Sequence, residues 1–409
     1  MKKKRLLAMG LALCMAWGTA CPALAEDTVP EEEAVAVIAD WVIAQETAAA
    51  GSIDINSNLP AKTAALMEQS TGKVLFAKEE HTALPPASVT KIMTLLLVMQ
   101  AIDSGRMALT DTVTCSDYAA GMGGSQIWLE PGEQMTVDEL LKAAAIASAN
   151  DATVLLGEQI AGSESAFVDL MNQEAARLGM NDTTFKNATG LDAEGHVTSA
   201  HDIALMSAEL LKYPIITNYT TVWMDNLRGG ATELVNTNRL IRFYQGANGL
   251  KTGTTSGAGS CLSATATRDG LSLVAVVMGC NTSDERFAAA RALLDHGFAN
   301  YTRLVPPAVD GQLVPVQVEH GMARSILPVY TPPEGFIALK SAKDSLIQTV
   351  ELTGAVEAPV EAGQTLGRVV VTIDGQEAGE YPLVAAEGVQ RMTLWRALGV
   401  MVQAAAFMG

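Results

Sequence analysis

A lysine follows a serine by three positions at the start of a long apolar run, and no other stretch constrains the fold as strongly. The stretch begins Pro85-Pro86-Ala87-Ser88-Val89-Thr90-Lys91 and continues with the mostly apolar residues 92–99. Because the two prolines cannot continue a helix from upstream, a helix is expected to begin near Ser88. Residues three apart on a helix are neighbours, with Cβ atoms about 5–6 Å apart. The pattern therefore predicts a buried helix that holds the Ser88 hydroxyl and the Lys91 amine side by side at its first turn.

A hydroxyl beside an amine at a helix N-terminus is one way to activate a serine as a nucleophile. Taken alone the pattern is weak, because Ser-x-x-Lys is short and a serine at a helix start is usually a cap. A catalytic interpretation therefore requires partner residues elsewhere in the chain.

The N-terminus has the three parts of a secretory signal peptide. Residues 2–5 are basic, residues 6–20 are apolar, and Ala23-Leu24-Ala25 is a small-x-small cleavage site. Cleavage is predicted after Ala25, so residues 1–25 form the signal peptide. A lipoprotein signal that uses Cys21 is the alternative, although Gly18 stands where such signals usually have a larger aliphatic residue. Both interpretations predict export from the cytoplasm.

The chain is strongly acidic, with a formal net charge of −18 that becomes −22 when the four positive charges of the signal peptide are removed. Nucleic-acid recognition relies on clustered Lys and Arg, so no nucleic-acid partner is expected. The five histidines have no metal-ligand spacing, and no Gly-rich phosphate loop follows a strand. Neither a metal nor another cofactor is therefore expected.

Three cysteines remain after the signal peptide: Cys115, Cys261 and Cys280. Three cysteines in a large exported chain do not make a disulfide framework. Cys261 and Cys280 are expected to be small buried residues on neighbouring strands, and a bond between them stays open.

Strand patterns at both ends of residues 59–303 enclose a helical middle. Residues 64–77 have the pattern of a β-hairpin, and three strands are expected between residues 249 and 278. Helices are expected at residues 137–156 in two pieces, at 165–180, at 198–211 and at 283–300. A sheet at both ends of the segment with helices between them predicts an α+β helix–sheet sandwich.

The rest of the chain divides into an N-terminal extension, residues 26–58, and two C-terminal segments. β-branched runs separated by Pro, Gly and Glu predict a small β domain over residues 304–383. The apolar tail belongs to residues 384–409, and as a helix residues 392–409 would be about 27 Å long, marginal for crossing a bilayer. An amphipathic helix that anchors at the membrane surface, with Trp395 at headgroup level, is predicted. A C-terminal helix packed on the protein itself is the alternative.

Two further short motifs follow the serine–lysine pair in a fixed order. They are Ser148-x-Asn150, in an expected loop, and Lys251-Thr252-Gly253, on an expected strand. Each is weak alone, but their order, their placement and the export signal together form a strong pattern. Penicillin-binding proteins and class A β-lactamases carry this set of motifs.

From about Leu59 to Asn300 the sequence resembles the low-molecular-mass penicillin-binding proteins, which are serine-type D-alanyl-D-alanine carboxypeptidases. Beyond the three motifs, the resemblance includes Phe185-x-Asn187-x-Thr189-Gly190-Leu191 and Gly249-Leu250-Lys251-Thr252-Gly253. It implies a β-lactamase/transpeptidase-like α+β fold with a smaller C-terminal β domain and a C-terminal amphipathic helix. It also implies hydrolysis of the terminal D-Ala from peptidoglycan stem peptides through an acyl-serine, with β-lactams as covalent inhibitors, at the outer face of the cytoplasmic membrane.

By resemblance, Ser88 is the nucleophile and Lys91 is its base. A lysine serves as a base only if its pKa falls from about 10.4 to near 7–8. Burial and a second nearby cation both lower it, and Lys251 on its strand is the expected cation.

The remaining roles also follow from the resemblance. Ser148 relays the proton to the leaving amine, and Asn150 positions Lys91 and the substrate amide. The substrate's terminal carboxylate is held by Lys251 and Thr252, while Gly253 admits the substrate backbone. The oxyanion hole consists of the backbone N–H groups of Ser88 and Thr254.

Two alternative functions stay open at this point. A β-lactamase shares the motifs, but class A enzymes hold their deacylating water with a Glu-x-x-Leu-Asn element, and Val168-Asp169-Leu170-Met171-Asn172 lacks it. A non-catalytic cell-wall-binding protein would keep the pocket without a reactive serine. The lifetime of a penicilloyl adduct separates the first alternative from a carboxypeptidase, and penicillin labelling of Ser88 tests the second.

Overall fold

The computed structural model describes residues 53–399. The predicted signal peptide, Cys21 and most of the N-terminal extension lie outside these residues, as does the tail beyond residue 399. Residues 53–59 belong to a unit of their own, separate from the unit that begins at Pro60. In that short piece the Asp54 carboxylate accepts hydrogen bonds from Asn56 N at 3.0 Å and from Ser57 Oγ at 2.7 Å.

The helices of the described residues are α1 (Lys91–Asp103), α2 (Asp117–Ala120), α3 (Val137–Ala145), α4 (Asn150–Ala161), α5 (Glu164–Leu178), α6 (Ala200–Leu210), α7 (Thr217–Thr220), α8 (Leu240–Phe243) and α9 (Ser283–Asn300). The strands that come before residue 300 are β1 (Thr63–Glu68), β2 (Val74–Lys78), β3 (Thr112–Thr114), β4 (Gln134–Thr136), β5 (Met224–Leu227), β6 (Thr232–Val235), β7 (Ala247–Thr255), β8 (Gly259–Arg268) and β9 (Leu271–Cys280). The later strands are β10 (Tyr301–Leu304), β11 (Val316–Glu319), β12 (Ser325–Ile326), β13 (Pro328–Val329), β14 (Phe336–Leu339), β15 (Ile347–Leu352), β16 (Ala355–Glu357), β17 (Thr365–Ile373) and β18 (Gln376–Ala385). Turns of 3-10 helix cover Ala87–Thr90, Pro214–Ile216, Arg228–Gly230, Asp310–Gln312 and Lys340–Ser345.

The main sheet joins strands from the two ends of residues 59–303, the segment called the catalytic region below. Its strand order is β2-β1-β9-β8-β7, and every neighbouring pair is antiparallel. The Arg268–Leu271 end of the β8–β9 hairpin turns through Asp269 and Gly270, both at positive φ, as the Asp-Gly pair predicts. The helices α1 to α8 lie between β2 and β7 in sequence, so the chain leaves the sheet, builds the helical layer and returns.

The main sheet is buried on both faces, which explains why β1 is apolar without alternation. Met67, Val274 and Met278 pack into the core that the helices between β2 and β7 share. On the other face α9 lies so close that a Cβ added at Gly297 would meet Leu273 Cδ1 at 2.5 Å and Leu66 Cδ2 at 3.0 Å. Successive strand residues point to opposite faces, so a sheet covered twice needs apolar residues at every position. The predicted α+β sandwich is confirmed.

Several helices of the helical layer begin with a side-chain N-cap. Thr136 and Glu139 form a reciprocal capping box at α3, Ser163 caps α5 and Ser199 caps α6. The predicted helices match α3 to α6 and α9 within a few residues. Cys261 and Cys280 are buried free thiols, as is Cys115.

Three small sheets follow the main one. β10 pairs with β14, β11 lies between β12 and the parallel strand β16, and the largest has the order β13-β18-β17-β15. Valine and leucine side chains from β17 and β18, among them Val369, Val371 and Leu383, form the core of this largest sheet. The predicted C-terminal β domain is confirmed as part of the fold, whereas its limits at residues 304 and 383 stay predictions.

Helical backbone resumes at residues 394–399, where the description ends. Leu394, Trp395 and Leu398 are exposed on it, by 75%, 82% and 46%. Among residues 53–399, no helix has both the length and the apolar character that a bilayer span requires.

Candidate active site

The site begins where a 3-10 turn changes into an α-helix. Residues Ala87–Thr90 form the turn, and α1 starts at Lys91, three residues after Ser88. The N–H groups at the start of such a turn have no intrahelical acceptor, so they face outward from it. The Lys91 side chain is fully buried, at 0% exposure, directly beneath Ser88.

The Lys91 amine contacts three neutral oxygen atoms. Its Nζ lies 3.0 Å from Ser88 Oγ, 2.6 Å from Asn150 Oδ1 and 2.9 Å from Thr189 O. The amide and the carbonyl oxygens can only accept, whereas the Ser88 hydroxyl can also donate. An ammonium would donate to all three oxygens, whereas a neutral amine, with two N–H donors and one lone pair, would donate to Asn150 Oδ1 and Thr189 O and accept the Ser88 proton. This is the arrangement that the expected roles of Ser88 as nucleophile and Lys91 as base require.

Burial lowers the pKa of Lys91 well below its ordinary value, and the nearby charge of Lys251 lowers it further. The buried carboxylate of Asp151 acts in the opposite direction and is the weaker influence. Lys251 is itself buried, with a pKa lowered to about 7 first by burial and then by the charge of Arg286. The direction agrees with the expectation that Lys251 helps to keep Lys91 neutral.

Strand β7 passes directly against the Ser88 turn at Gly253. A Cβ built on Gly253 would lie 2.8 Å from Ser88 N, 3.0 Å from the Ala87 Cβ and 3.0 Å from Pro86 O. Any side chain at this position would therefore push the strand away from the Ser88 turn. Lys251, two residues earlier on the same face, is 1% exposed and donates to Thr252 O at 3.2 Å.

A loop that contains Asn187, Thr189 and Gly190 closes the other side of the turn. The Asn187 Oδ1 atom accepts from Gly190 N at 2.7 Å and from Thr189 N at 3.2 Å, which fixes the loop. Gly190 has φ +88°, and a Cβ there would lie 1.8 Å from Ala87 O and 2.9 Å from Ser88 N. The Ala87–Ser88 peptide is thus held between Gly190 and Gly253. This loop belongs to the stretch from Phe185 to Leu191, which is part of the family resemblance but has no role assigned by it.

The second motif forms the loop between α3 and α4. Ser148 is buried and has φ +64°, which turns the chain so that Asn150 begins α4. The Asn150 side chain is fixed at both ends, because Nδ2 donates to Gly123 O at 2.6 Å while Oδ1 accepts from Lys91. Its backbone N–H donates to Ser125 O at 2.7 Å. Asn150 therefore links the loop at Gly123 and Ser125 to Lys91.

Two residues outside the motifs support the threonines of β7. Thr252 Oγ1 donates to Thr237 Oγ1 at 2.7 Å. The Arg286 guanidinium, buried under the sheet, donates from Nη1 to Gly253 O at 3.0 Å and to Thr254 Oγ1 at 2.8 Å. Arg286 places a fixed positive charge behind the strand that carries the third motif.

The structure brings Ser88, Lys91, Asn150 and Gly253 into direct contact and places Lys251 within electrostatic reach of Lys91. Ser148, Thr252 and Thr254 are each within two residues of one of these contacts. The roles of all eight residues stay predictions. Sequence analysis gave no role to Thr189, Gly190, Thr237 or Arg286. Only the first two carried a signal, as part of the stretch that contributed to the resemblance.

Within residues 53–399 no group of three or more His, Cys, Asp or Glu side chains is arranged to hold a metal ion. A cavity of about 460 Å³ opens beside the Ser88 turn, lined among others by Pro86, Gly190, Asp192 and Ser256. There is therefore open space beside Pro86 and Gly190, which flank the Ser88 turn.

Comparison with known proteins gives two family matches and several close relatives. The D-alanyl-D-alanine carboxypeptidase family model matches residues 46–282, and the model of the penicillin-binding protein 5 C-terminal domain matches residues 309–391. D-alanyl-D-alanine carboxypeptidase DacF from Bacillus subtilis is 44% identical over 335 residues, covering 81% of this chain and 86% of DacF.

Solved structures agree with the sequence comparison. Penicillin binding protein 5 from Haemophilus influenzae matches with a TM-score of 0.70 and 29% identity, over 82% of this chain and 98% of that chain. Penicillin-binding protein D2 from Listeria monocytogenes, solved in its ampicillin-bound form, matches with a TM-score of 0.54 and 31% identity over 59% of this chain and 98% of its own.

Proposed function

We propose, on the premise that this chain belongs to the D-alanyl-D-alanine carboxypeptidase family, that Ser88 is its nucleophile and Lys91 the base that activates it. The protein is a serine-type D-Ala-D-Ala carboxypeptidase and a penicillin-binding protein that acts on peptidoglycan outside the cytoplasm. The assignment of roles to individual residues is our proposal.

One observation carries this proposal: the Lys91 amine is buried among neutral oxygen atoms with Ser88 Oγ 3.0 Å away. A buried cation without a countercharge is costly, so the neutral amine is favoured. A neutral amine within hydrogen-bond reach of a hydroxyl is a general base in position.

Acylation then follows from these positions. Lys91 takes the proton of the Ser88 hydroxyl while Oγ attacks the carbonyl carbon of the penultimate D-Ala. The oxyanion accepts hydrogen bonds from the N–H groups of Ser88 and Thr254. The C–N bond breaks, the terminal D-Ala leaves with a proton that reaches its amine through Ser148, and an ester on Ser88 remains.

Deacylation uses the same groups in reverse. Water gives a proton to the base as it attacks the ester carbonyl, and the tetrahedral intermediate releases the shortened peptide and the Ser88 hydroxyl. No Glu-x-x-Leu-Asn element lies on α5, where Val168-Asp169-Leu170-Met171-Asn172 stands. This supports a slow hydrolysis of β-lactam adducts in place of a β-lactamase turnover.

Substrate recognition is assigned to the strand that lies against the turn. Lys251 and Thr252 bind the terminal carboxylate, and Asn150 orients the substrate amide. Arg286 adds positive potential from beneath the strand, through Gly253 O and Thr254 Oγ1. Because the carboxylate is present only at a free C-terminus, this site favours the last residue of a stem peptide.

β-Lactams are expected to acylate Ser88, because they carry a reactive amide that can take the place of the substrate's amide. The ampicillin-bound form of the Listeria monocytogenes relative supports this. The test is labelling of the mature chain with a fluorescent penicillin, followed by mass spectrometry of the labelled peptide. We expect a long-lived label on Ser88, none in Ser88→Ala, and full labelling in Ser104→Ala, which changes an exposed serine at the far end of α1.

Two results would contradict the assignment. Ser88→Ala with undiminished release of D-Ala would exclude Ser88 as the nucleophile. A label that disappears within seconds would favour a β-lactamase.

We also propose that the C-terminal tail anchors the enzyme on the outer face of the cytoplasmic membrane. The exposed side chains of Leu394, Trp395 and Leu398 on helical residues 394–399 support this. The mature chain is expected to co-sediment with phospholipid vesicles, and a chain that ends at Arg391 is expected to stay in the supernatant. Equal sedimentation of the two chains would contradict the anchor and leave the catalytic proposal unaffected.

A further inference from the structure

A chain of buried hydrogen bonds ends at the peptide group that precedes the proposed nucleophile, Ser88. Lys186 N–H donates to His196 Nδ1 at 3.1 Å. His196 Nε2 lies 2.9 Å from Thr90 Oγ1, and Thr90 Oγ1 donates to Ala87 O at 2.9 Å. His196 and Thr90 are 2% and 0% exposed, so water does not compete for these bonds.

The direction of each bond in this chain is determined by its first donor. A backbone N–H can only donate, so His196 Nδ1 carries a lone pair and the ring proton lies on Nε2. His196 Nε2 therefore donates to Thr90 Oγ1, which leaves the hydroxyl proton of Thr90 free to be donated to Ala87 O. Burial lowers the pKa of His196 to about 4, so the ring keeps this neutral form at neutral pH.

The acceptor at the end of the chain belongs to the same peptide as the Ser88 N–H. Donation to the carbonyl oxygen of an amide draws electron density from its nitrogen and makes its N–H a stronger donor. The same peptide has Ala87 at φ +50°, a conformation that non-glycine residues adopt only when their surroundings hold them there. Gly190 and Gly253 hold this peptide from two sides, and the Thr90 hydroxyl binds its oxygen.

We propose that Thr90 and His196 are positioning residues for the oxyanion hole: the His196–Thr90–Ala87 chain orients the Ala87–Ser88 peptide and strengthens its N–H as a donor. The inference rests on the proposed function, because it takes Ser88 as the nucleophile and its N–H as an oxyanion donor. Neither residue touches the substrate. Their effect appears only when negative charge develops on the substrate oxygen, so it should change kcat and leave KM nearly unchanged.

Thr90→Val is the principal test, because valine has nearly the shape of threonine and removes the hydroxyl. We expect acylation by a β-lactam and kcat on a D-Ala-D-Ala peptide to fall about tenfold or more, with KM within about twofold. Thr90→Ser keeps the hydroxyl and should restore most of the rate.

Thr94→Val is the matched control. Thr94 lies one turn further along α1, is equally buried and donates to Ala188 O at 2.9 Å. It loses the same type of bond without touching the Ala87–Ser88 peptide, so its kcat should stay within about twofold of the parent.

The acyl-enzyme offers a readout that a purely structural role would not change. In isotope-edited infrared difference spectra, the ester carbonyl of penicilloyl-Ser88 should absorb at higher frequency in Thr90→Val, because its oxygen receives a weaker hydrogen bond. Thr90→Ser and Thr94→Val should give the parent frequency.

His196→Phe provides a second variant in case Thr90→Val folds poorly, since it keeps an aromatic ring and removes both nitrogens. It should shift the carbonyl frequency in the same direction. The double variant should lose no more rate than Thr90→Val alone, because the two residues act in series.

An unchanged ester frequency in both Thr90→Val and His196→Phe would overturn the inference, as would a fall in kcat of equal size in Thr94→Val. If the parent enzyme is not labelled on Ser88 at all, the proposed function itself fails. That result is separate from a labelled parent whose variants behave like it.

Discussion

The charged residues near Ser88 and those of the C-terminal sheets lie in opposite environments. Lys91 and Lys251 are almost completely buried, and the contacts of Lys91 are to neutral oxygen atoms. On β17, Arg368 is about half-exposed and pairs with Glu351 at 2.7 Å and Glu380 at 2.9 Å. The first arrangement makes an ammonium group release its proton, whereas the second keeps every charge in contact with water and with an opposite charge.

The comparison shows how burial changes the behaviour of a cationic side chain. A lysine at a surface keeps its proton and serves solubility, but a lysine in a low-dielectric site beside another cation becomes a base. Burying a lysine without a countercharge costs stability, so substitutions of Lys91 or Lys251 should mainly change catalysis. Substitutions of the exposed ion pairs on β17 should change activity and stability little.

The largest effect is expected for Lys91→Met, which keeps the length of the side chain and removes the base. General-base catalysis contributes about 10²–10⁴-fold, so we expect acylation of Ser88 to fall roughly a thousandfold. Stopped-flow acylation with a chromogenic β-lactam measures this. A fall of less than tenfold would mean that another group serves as the base.

A pair of glycines tests whether the Ser88 region is also the more crowded one. Gly190→Ala adds a Cβ 1.8 Å from Ala87 O at φ +88°, whereas Gly363→Ala, at φ +82°, has no atom within 4 Å of the new Cβ. Both variants carry the same backbone strain, which should lower the free energy of unfolding of Gly363→Ala by about 1–2 kcal/mol. Gly190→Ala should lower it by about 3 kcal/mol or more, because the loop must also move. Denaturant titration of the free energy of unfolding compares them, and equal losses would contradict the close packing.

The pH profile of acylation tests whether the charge of Lys251 lowers the pKa of Lys91. Removing the charge of Lys251 removes one cause of the low pKa of Lys91, so this pKa rises and less neutral amine is present at a given pH. Lys251→Met should therefore move the acid limb of acylation at saturating β-lactam to higher pH. Lys251→Arg keeps the charge and is the control, and an unmoved profile in Lys251→Met would count against the coupling.

The smallest effect is expected for Arg368→Met in the C-terminal sheet. Exposed ion pairs contribute little, so we expect Tm to change by no more than about 3 °C. Penicillin labelling of Ser88 should be unaffected. A large loss in Tm would mean that this surface pair supports the sheet more than its exposure indicates.

Most of the main fold was predictable because its signals are local. Apolar periodicity marked α3 to α6 and α9, and the Asp269-Gly270 turn fixed the β8–β9 hairpin. The three motifs marked the site, since their residue types suit one chemistry and their order matches one family. Strand β18 was missed because Gln376–Ala385 contains charged residues, a glycine and a proline, which obscure the alternation.

The supporting contacts of the site were not predictable, because each joins residues far apart in sequence. Gly190 meets Ala87 across about a hundred residues, and Arg286 reaches Gly253 from a helix on the opposite face of the sheet. The bond between Thr90 and His196 is of the same kind. No local pattern encodes such pairs, since they arise only when the chain has folded.

The proposed mechanism requires that Lys91 is neutral beside Ser88 because of where the fold places it. Its direct test is a ¹³C NMR titration of Cε in lysine-labelled protein, with the Lys91 signal identified by its loss in Lys91→Met. We predict a pKa far below the ordinary value of 10.5, and a higher one in Lys251→Met. A Lys91 signal that titrates near 10.5 in an enzyme still acylated at Ser88 at neutral pH would mean that Lys91 is not the base.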